Sequence, residues 1–456
     1  MKTLGWIIVG LFAVVAWPMG VWGQEAATSD RPNIVFFLAD DLGWADVPWH
    51  GSPAAMPNLQ RLAEEGLKLE AHYVHPMCSP TRTALMTGRF ASRYGVTKAQ
   101  NVRALPFDTL TLAKVLQTAG YDTALIGKWH LGSKPQWGPQ HFGFDYSYGS
   151  LAGGVGPYDH SYKRSDFTET WHRNGQFVQE SGHVTDLIAG EAVKWLEGRS
   201  GKPFFLYVPF SAIHVPIDEP EEWLAKNAQL NDPGQRLRAA CATHMDHAIG
   251  QILAALQRTG VQQRTLIVFA SDNGAHGLTD NQGGAYLGKY PQLKVGNDNL
   301  PLRGHKTEVY EGGIRTPALV HWPKHIQPGS CQVPLHIADW LPTLSHVVSQ
   351  PIPVQPKLDG TNVWSVLSRQ SSLAERTLYS AAPNYGARMV RRGNWKLIVT
   401  QGAKQDSGKN RIELFDLSTD IGESKNLADQ KPEVVAQLQH ELSRMVAEDN
   451  QFLVQD

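Results

Sequence analysis

Four short apolar runs, each ending in polar or charged residues, limit what this chain can fold into more than any other feature. Asn33-Ile34-Val35-Phe36-Phe37-Leu38-Ala39 stops at Asp40-Asp41-Leu42-Gly43, and Thr123-Ala124-Leu125-Ile126 leads into Gly127-Lys128-Trp129-His130. Phe204–Val208 leads into Pro209-Phe210-Ser211-Ala212-Ile213-His214, and Thr265–Ala270 into Ser271-Asp272-Asn273-Gly274. Runs this short, rich in β-branched and aromatic residues, read as strands buried on both faces. Helical patterns lie between them at Pro57–Leu69, Thr109–Thr118, Val184–Glu197 and Arg236–Arg258. The alternation predicts an α/β fold, a mostly parallel central sheet flanked by helices. Ligands of such sheets bind beyond the carboxyl ends of the strands. The four runs would therefore gather Asp40, Asp41, Lys128, His130, His214, Asp272 and Asn273 into one crevice.

Beyond Pro351-Ile352-Pro353 the texture changes. Arg388–Val399 reads as a hairpin turning at Gly393-Asn394, Glu413–Leu417 as a further strand and Glu433–Glu448 as a terminal amphipathic helix. The expected division is an α/β domain over residues 31–365 and a small α+β subdomain over 366–456, with an antiparallel sheet. Residues 1–23 read as a signal peptide, with Lys2 before the apolar run Leu4–Trp17 and small residues near Gly23. That run is shorter than the ~20 residues a membrane span needs. A secreted or periplasmic protein without a stable membrane partner is the expectation. Basic and acidic side chains number 42 and 43, so no whole-chain field draws nucleic acid. Three cysteines are too few for a disulfide framework, and Cys241 and Cys331 are open to pairing or to remaining free.

Three carboxylates brought together, Asp40, Asp41 and Asp272, repel one another unless a cation neutralises them. With Asn273 they form an all-oxygen donor set, which selects Ca²⁺ or Mg²⁺ over zinc. Arg82, Lys128, His130, His214 and Lys306 are the cationic or proton-handling candidates. Gly-Lys-Trp-His-Leu-Gly and Pro-Leu-Arg-Gly-His-Lys set several of them in glycine-bracketed frames. Fixed positive donors of this kind suit a tetrahedral anion.

The remaining signal is the stretch His75–Arg89, in which Cys78-Ser79-Pro80-Thr81-Arg82 opens an apparent helix. It closely resembles the signature of the formylglycine-dependent, type I sulfatases of the alkaline phosphatase superfamily. The same resemblance extends through Asp40–Gly43, Gly127–Gly132, Ser271–Gly274, Pro301–Gly313 and Glu413–Leu427, nearly the whole mature length. It implies an alkaline-phosphatase-like sandwich with a small C-terminal antiparallel sheet. It implies Ca²⁺ held by Asp40, Asp41, Asp272, Asn273 and Cys78, the cysteine having been oxidised to formylglycine by a formylglycine-generating enzyme. It implies a hydrated aldehyde attacking sulfur in line. His214, with Lys306, would protonate the leaving oxygen, and Lys128 and Lys306 would stabilise the sulfuryl oxygens. Arg82 would orient the diol, and His130 would help regenerate the aldehyde. The substrate expected is an aryl sulfate or a sulfated sugar, with galactose or N-acetylgalactosamine sulfates leading.

Two departures from the family pattern stand out. His305 and Thr307 flank Lys306 where glycines are usual, which makes His305 a substrate-reading candidate beside Lys128, His214 and Lys306. Asp420-Ile421-Gly422-Glu423 lacks the usual proline. Tyr158, His160, Trp171 and His172 are further pocket candidates. The competing readings are a phosphodiesterase or phosphonate hydrolase of the same superfamily, and a sulfated-glycan-binding protein in which Cys78 stays a thiol.

Overall fold

The computed structural model describes residues 1–2, 5, 31–199, 201–281, 285–297, 299–354, 356–402 and 408–455. The expected signal peptide therefore lies, apart from residues 1–2 and 5, outside the described residues. Among the described residues no helix is long and apolar enough to cross a membrane.

The apolar run at residue 33 forms β1 (Asn33–Ala39), every residue of which is buried. It lies in the middle of a ten-stranded sheet with β2 (Leu67–Leu69), β3 (Asp122–Lys128), β4 (Tyr146–Ser150), β5 (Trp171–Arg173) and β6 (Gln176–Phe177). The others are β7 (Phe204–Pro209), β8 (Thr265–Ser271), β9 (Ala318–His321) and β10 (Gly329–Cys331). The order across the sheet is β10-β2-β9-β8-β1-β7-β3-β4-β5-β6. The central five, β8 to β4, are parallel, and the runs flanking them include antiparallel pairs.

Alternation along β1 divides the core in two. Ile34, Phe36 and Leu38 pack against α2 (Cys78–Thr87), α3 (Leu112–Thr118) and α6 (Trp340–Val347). Val35, Phe37 and Ala39 face α1 (Pro57–Glu65), α4 (Val184–Glu197) and α5 (Pro233–Arg258). A strand covered by helices on both faces has no polar side, which is why its sequence runs apolar without interruption.

The helical pattern expected to run to Leu69 stops at Glu65. A Cβ at Gly66 would meet the carbonyl oxygens of Leu62 and Val320 at 2.7 Å, so the chain turns there and Leu67–Leu69 joins the sheet as β2. The helix expected from Thr109 begins at Leu112, because the Thr111 side chain accepts the backbone N–H of Lys114 and caps it. Cys241 packs on one face of the sheet and Cys331 on the other, and all three cysteines are free thiols.

Toward the C-terminus, β11 (Thr377–Ala381), β12 (Ala387–Arg392), β13 (Trp395–Thr400) and β14 (Arg411–Asp416) form a consecutive antiparallel sheet. Tyr379, Val390, Leu397 and Leu414 pack under α7 (Pro432–Val446) through Leu438, Leu442 and Met445. The opposite face, with Leu378, Met389, Ile398 and Phe415, packs on Tyr73, Val309, Tyr310 and Ile314.

Candidate active site

Because the five central strands are parallel, their carboxyl ends emerge together. Asp40 and Asp41 follow β1, Lys128 is the last residue of β3, His214 lies five residues past β7, and Asp272 and Asn273 follow β8. Backbone hydrogen bonds continue past the strand ends. Asp272 N–H donates to Ala39 O at 3.0 Å, Asp40 N–H to Ala212 O at 2.8 Å, and Ile213 N–H to Asp40 O at 2.7 Å. The sequence therefore delivers these side chains from rigid backbone.

Helix α2 enters from one face with Cys78 as its first residue. It ends where Gly88, in the left-handed region at φ 66°, donates its N–H to Ala84 O. Pro80 fits the first turn, where no intrahelical donor is required. All ten residues of α2 are buried, and its positive N-terminal end is directed at residue 78. Arg82 lies one turn along the same face.

Lys306 arrives on a loop held by its own N–H to Ala275 O at 3.0 Å. Gly274 lets that loop approach, since a Cβ there would meet Gly312 O at 1.7 Å.

The contacts form one network. Lys128 Nζ donates to Asp40 Oδ2, and Lys306 Nζ to Asp41 Oδ2 at 2.8 Å. Asn273 Nδ2 donates to Asp41 Oδ1 at 2.7 Å, and Asp41 N–H to Asp272 Oδ1 at 3.3 Å. Arg82 donates to Asp272 Oδ2 from Nη2 at 2.8 Å and Nε at 3.2 Å, and to Lys128 O from Nη1 at 2.7 Å. Three of its donors therefore fix the carboxylate and the Lys128 backbone. Burial alone would raise Asp40 and Asp41, but Lys128 and Lys306 pull both below the usual carboxylate range. Asp272, buried and beside Asp40, is pushed up. Burial also pushes the Cys78 thiol up.

The donor set fits a hard divalent cation. Asp40, Asp41 and His214 offer ligand atoms that all lie within 4.8 Å of one another. Asp40 Oδ1 and Asn273 Oδ1 are buried acceptors without a hydrogen-bond partner. Orphaned buried oxygens are costly, and a cation satisfies them at once. The carboxylates of Asp40, Asp41 and Asp272 match the permanent cations Arg82, Lys128 and Lys306 in number. A divalent ion added to that balance leaves the cluster positive, as an anionic ester requires.

Two histidines border the cluster. His214 Nδ1 pairs with Val215 O, so Nε2 faces the cluster, 3.7 Å from Asp41 Oδ2. Burial and then Lys306 bring its pKa down to about 4, against the pull of Asp41. His130 is held by its N–H to Leu151 O at 3.0 Å, and both ring nitrogens are buried without a partner. Burial, reinforced by Lys128 and Arg82, holds it well below the ordinary histidine range.

The His305 side chain is 38% exposed, 3.8 Å from Glu308. Of the other pocket candidates, Trp171 stacks on His160, Tyr158 lies edge-on to His183, and His172 is buried in β5, next to the edge strand β6. None of these contacts reaches the buried cluster.

Two features escaped the sequence. Arg238 on α5 donates to Asp41 O at 2.9 Å and to Asp46 Oδ2 at 2.7 Å. Gly153 and Gly154, just past β4, make room for the two histidines: a Cβ at Gly153 would lie 3.1 Å from His130 Nε2, and one at Gly154 2.5 Å from His214 Nδ1. The Gly-Gly pair was the available signal for the second, whereas nothing marks Arg238 in the sequence.

A family model described as Sulfatase matches residues 32–349. Arylsulfatase J of Mus musculus is 31% identical across 92% of this chain and 77% of its own length. N-acetylgalactosamine-6-sulfatase of Mus musculus is 30% identical across 88% of this chain and 77% of its own. The structure of Ps i-CgsB in complex with k-i-k-neocarrahexaose superposes with a TM-score of 0.81 at 29% identity, covering 92% of this chain and 94% of that one.

Proposed function

Because the chain belongs to the sulfatase family and is a sulfuric ester hydrolase, we propose that it is exported and removes sulfate from a sulfated carbohydrate of galactose or N-acetylgalactosamine type. The reading is supported by relatives named for N-acetylgalactosamine 6-sulfate and by the carbohydrate-bound Ps i-CgsB. The apolar N-terminal run supports export. The observation that carries the chemistry is the gathering of Asp40, Asp41, Asp272 and Asn273 in one buried cluster, with two of their oxygens unpartnered and the charges of Asp40 and Asp272 acting on Cys78.

In this proposal those four residues, with the modified residue 78, hold Ca²⁺. Ca²⁺ held there would supply positive charge, and formylglycine at position 78 would supply an oxygen nucleophile with a second hydroxyl to release the product, which a thiol lacks. Lys128 and Lys306 turn toward the ester's sulfuryl oxygens once the carboxylates they now pair with are otherwise neutralised. His214, its ring fixed through Nδ1, gives a proton from Nε2 to the leaving oxygen once the bound anionic ester has favoured its doubly protonated form. His130 takes a proton at residue 78, its ring nitrogens being free of competing partners. Arg82 holds Asp272 and the Lys128 backbone in register. His305 reads the substrate from the rim. Cys78 is 2% exposed, so the formylglycine-generating enzyme must reach it before the chain folds around it.

A panel of defined sulfated mono- and oligosaccharides, with aryl sulfate and aryl phosphate esters beside it, tests the proposal through release of free sulfate or phosphate. Sulfate release from galactose- or N-acetylgalactosamine-type sugars is expected. A strong preference for the phosphate ester would refute it.

A further inference from the structure

Among the cluster's members the His214 side chain is the most open to solvent, at 15%, so substrate must arrive past it. The wall on that side is aromatic. Tyr286 donates its hydroxyl to Gly154 O at 3.1 Å, and a Cβ at Gly154 would lie 2.8 Å from that hydroxyl as well as against the His214 ring. Tyr162 abuts Gly153, where an added Cβ would meet its ring at 3.3 Å. The two tyrosine rings stand 6.2 Å apart at 83°, forming a corner. Asn101 locks that corner to the His130 segment, donating to Tyr162 Oη at 3.3 Å while accepting from Ser133 Oγ at 3.0 Å.

A cation sits on this corner. Lys163 Nζ lies 5.6 Å from the Tyr286 ring centroid. Lys163 is half-buried and, among the described residues, has no carboxylate partner. The carboxylate of Asp159, four residues earlier in the chain, is already engaged, accepting from Ser161 and from the Tyr290 hydroxyl at 3.0 Å. Tyr286 is buried and backs the corner, while the half-buried Tyr162 ring offers surface that suits the apolar face of a sugar ring. An ammonium held over aromatic surface without its own counter-ion suits an anion brought by the ligand.

We infer that Tyr162, Tyr286 and Lys163 form a subsite for the sugar adjoining the one that loses its sulfate. Lys163 receives a second sulfate there, so the preferred substrate is a multiply sulfated glycan. This rests on the sulfated-carbohydrate reading above. The subsite adds only recognition, leaving bond-making to the buried cluster.

The test compares kcat/KM of the whole enzyme and its Lys163→Gln variant on three substrates: an aryl sulfate, a singly sulfated disaccharide, and the same disaccharide with a second sulfate on the adjoining ring. The native enzyme should favour the doubly sulfated disaccharide, less so as salt rises. Lys163→Gln should lose roughly 5-fold on that substrate through KM, and little on the other two. Tyr162→Ala should weaken both disaccharides more than the aryl sulfate, whose turnover also falls because Tyr162 is tied to the His130 segment through Asn101. Equal losses on all three substrates, or no native preference for the second sulfate, would overturn the subsite while leaving the sulfatase reading intact. Turnover of aryl sulfate with neither disaccharide cleaved would overturn the carbohydrate reading, and the subsite with it.

Discussion

Asp41 adopts φ 61°, a left-handed conformation that costs an ordinary residue roughly 1–2 kcal/mol and an aspartate somewhat less. The conformation turns its carboxylate toward Lys306 and Asn273 while its carbonyl points back to Arg238. Arg238 is itself held by Asp46, whose other contacts are the N–H of Gly43 and Nδ2 of Asn297. The carboxylate proposed to face the metal thus has a buried ion pair behind it. Outer partners of this kind commonly govern metal affinity. Arg238→Ala is expected to weaken Ca²⁺ binding by about 10- to 100-fold in a calorimetric titration, with Arg238→Lys in between. Unchanged affinity would show that the pair only fills space. This dependence was illegible in the sequence, since Arg238 looks like any helix arginine until α5 is laid behind β1.

The elements divide the work. The central strands deliver carboxylates and a lysine from fixed backbone, and α2 brings residue 78 in on its first turn. The loop carrying Lys306 is braced from the far side by the C-terminal sheet. Lys396 on β13 is fully buried and pairs with Glu311 and Glu423, each at 2.8 Å. Glu311 begins the short helical turn just after Lys306, and its N–H donates to Glu423 at 2.6 Å. Glu423 sits in the Asp420–Glu423 stretch that departs from the family pattern, and here it is a buried structural carboxylate. Lys396→Ala would strand two carboxylates in the interior. It is expected to cost about 3–5 kcal/mol of stability, read from the shift in urea midpoint. A loss under about 1 kcal/mol would mean the C-terminal sheet does not brace that loop. The hairpin at Gly393-Asn394 was readable from alternation and turn residues. The buried pairing of Lys396 was not, because a lysine on a strand ordinarily reads as solvated.

For the molecule as a whole, the architecture was legible because burial on both faces writes itself as uninterrupted apolar sequence, and parallel strands oblige their ends to meet. Asp40, Asp41, Lys128, His214, Asp272 and Asn273 come together as that geometry requires. What pattern reading missed was set by close approach between distant segments: the early end of α1 at Gly66, and the Gly153–Gly154 wall beside the histidines. His305, singled out by its departure from flanking glycine, is half-buried beside the buried Lys306.

The central claim is that residue 78 is formylglycine in the working enzyme. Peptide mass analysis across Cys78–Arg82, on a preparation whose sulfate release has been measured, tests it most directly. The account predicts an aldehyde-bearing residue 78 in proportion to activity, with Cys78→Ala folded and inert. A fully active preparation carrying an unmodified thiol at that position would contradict it.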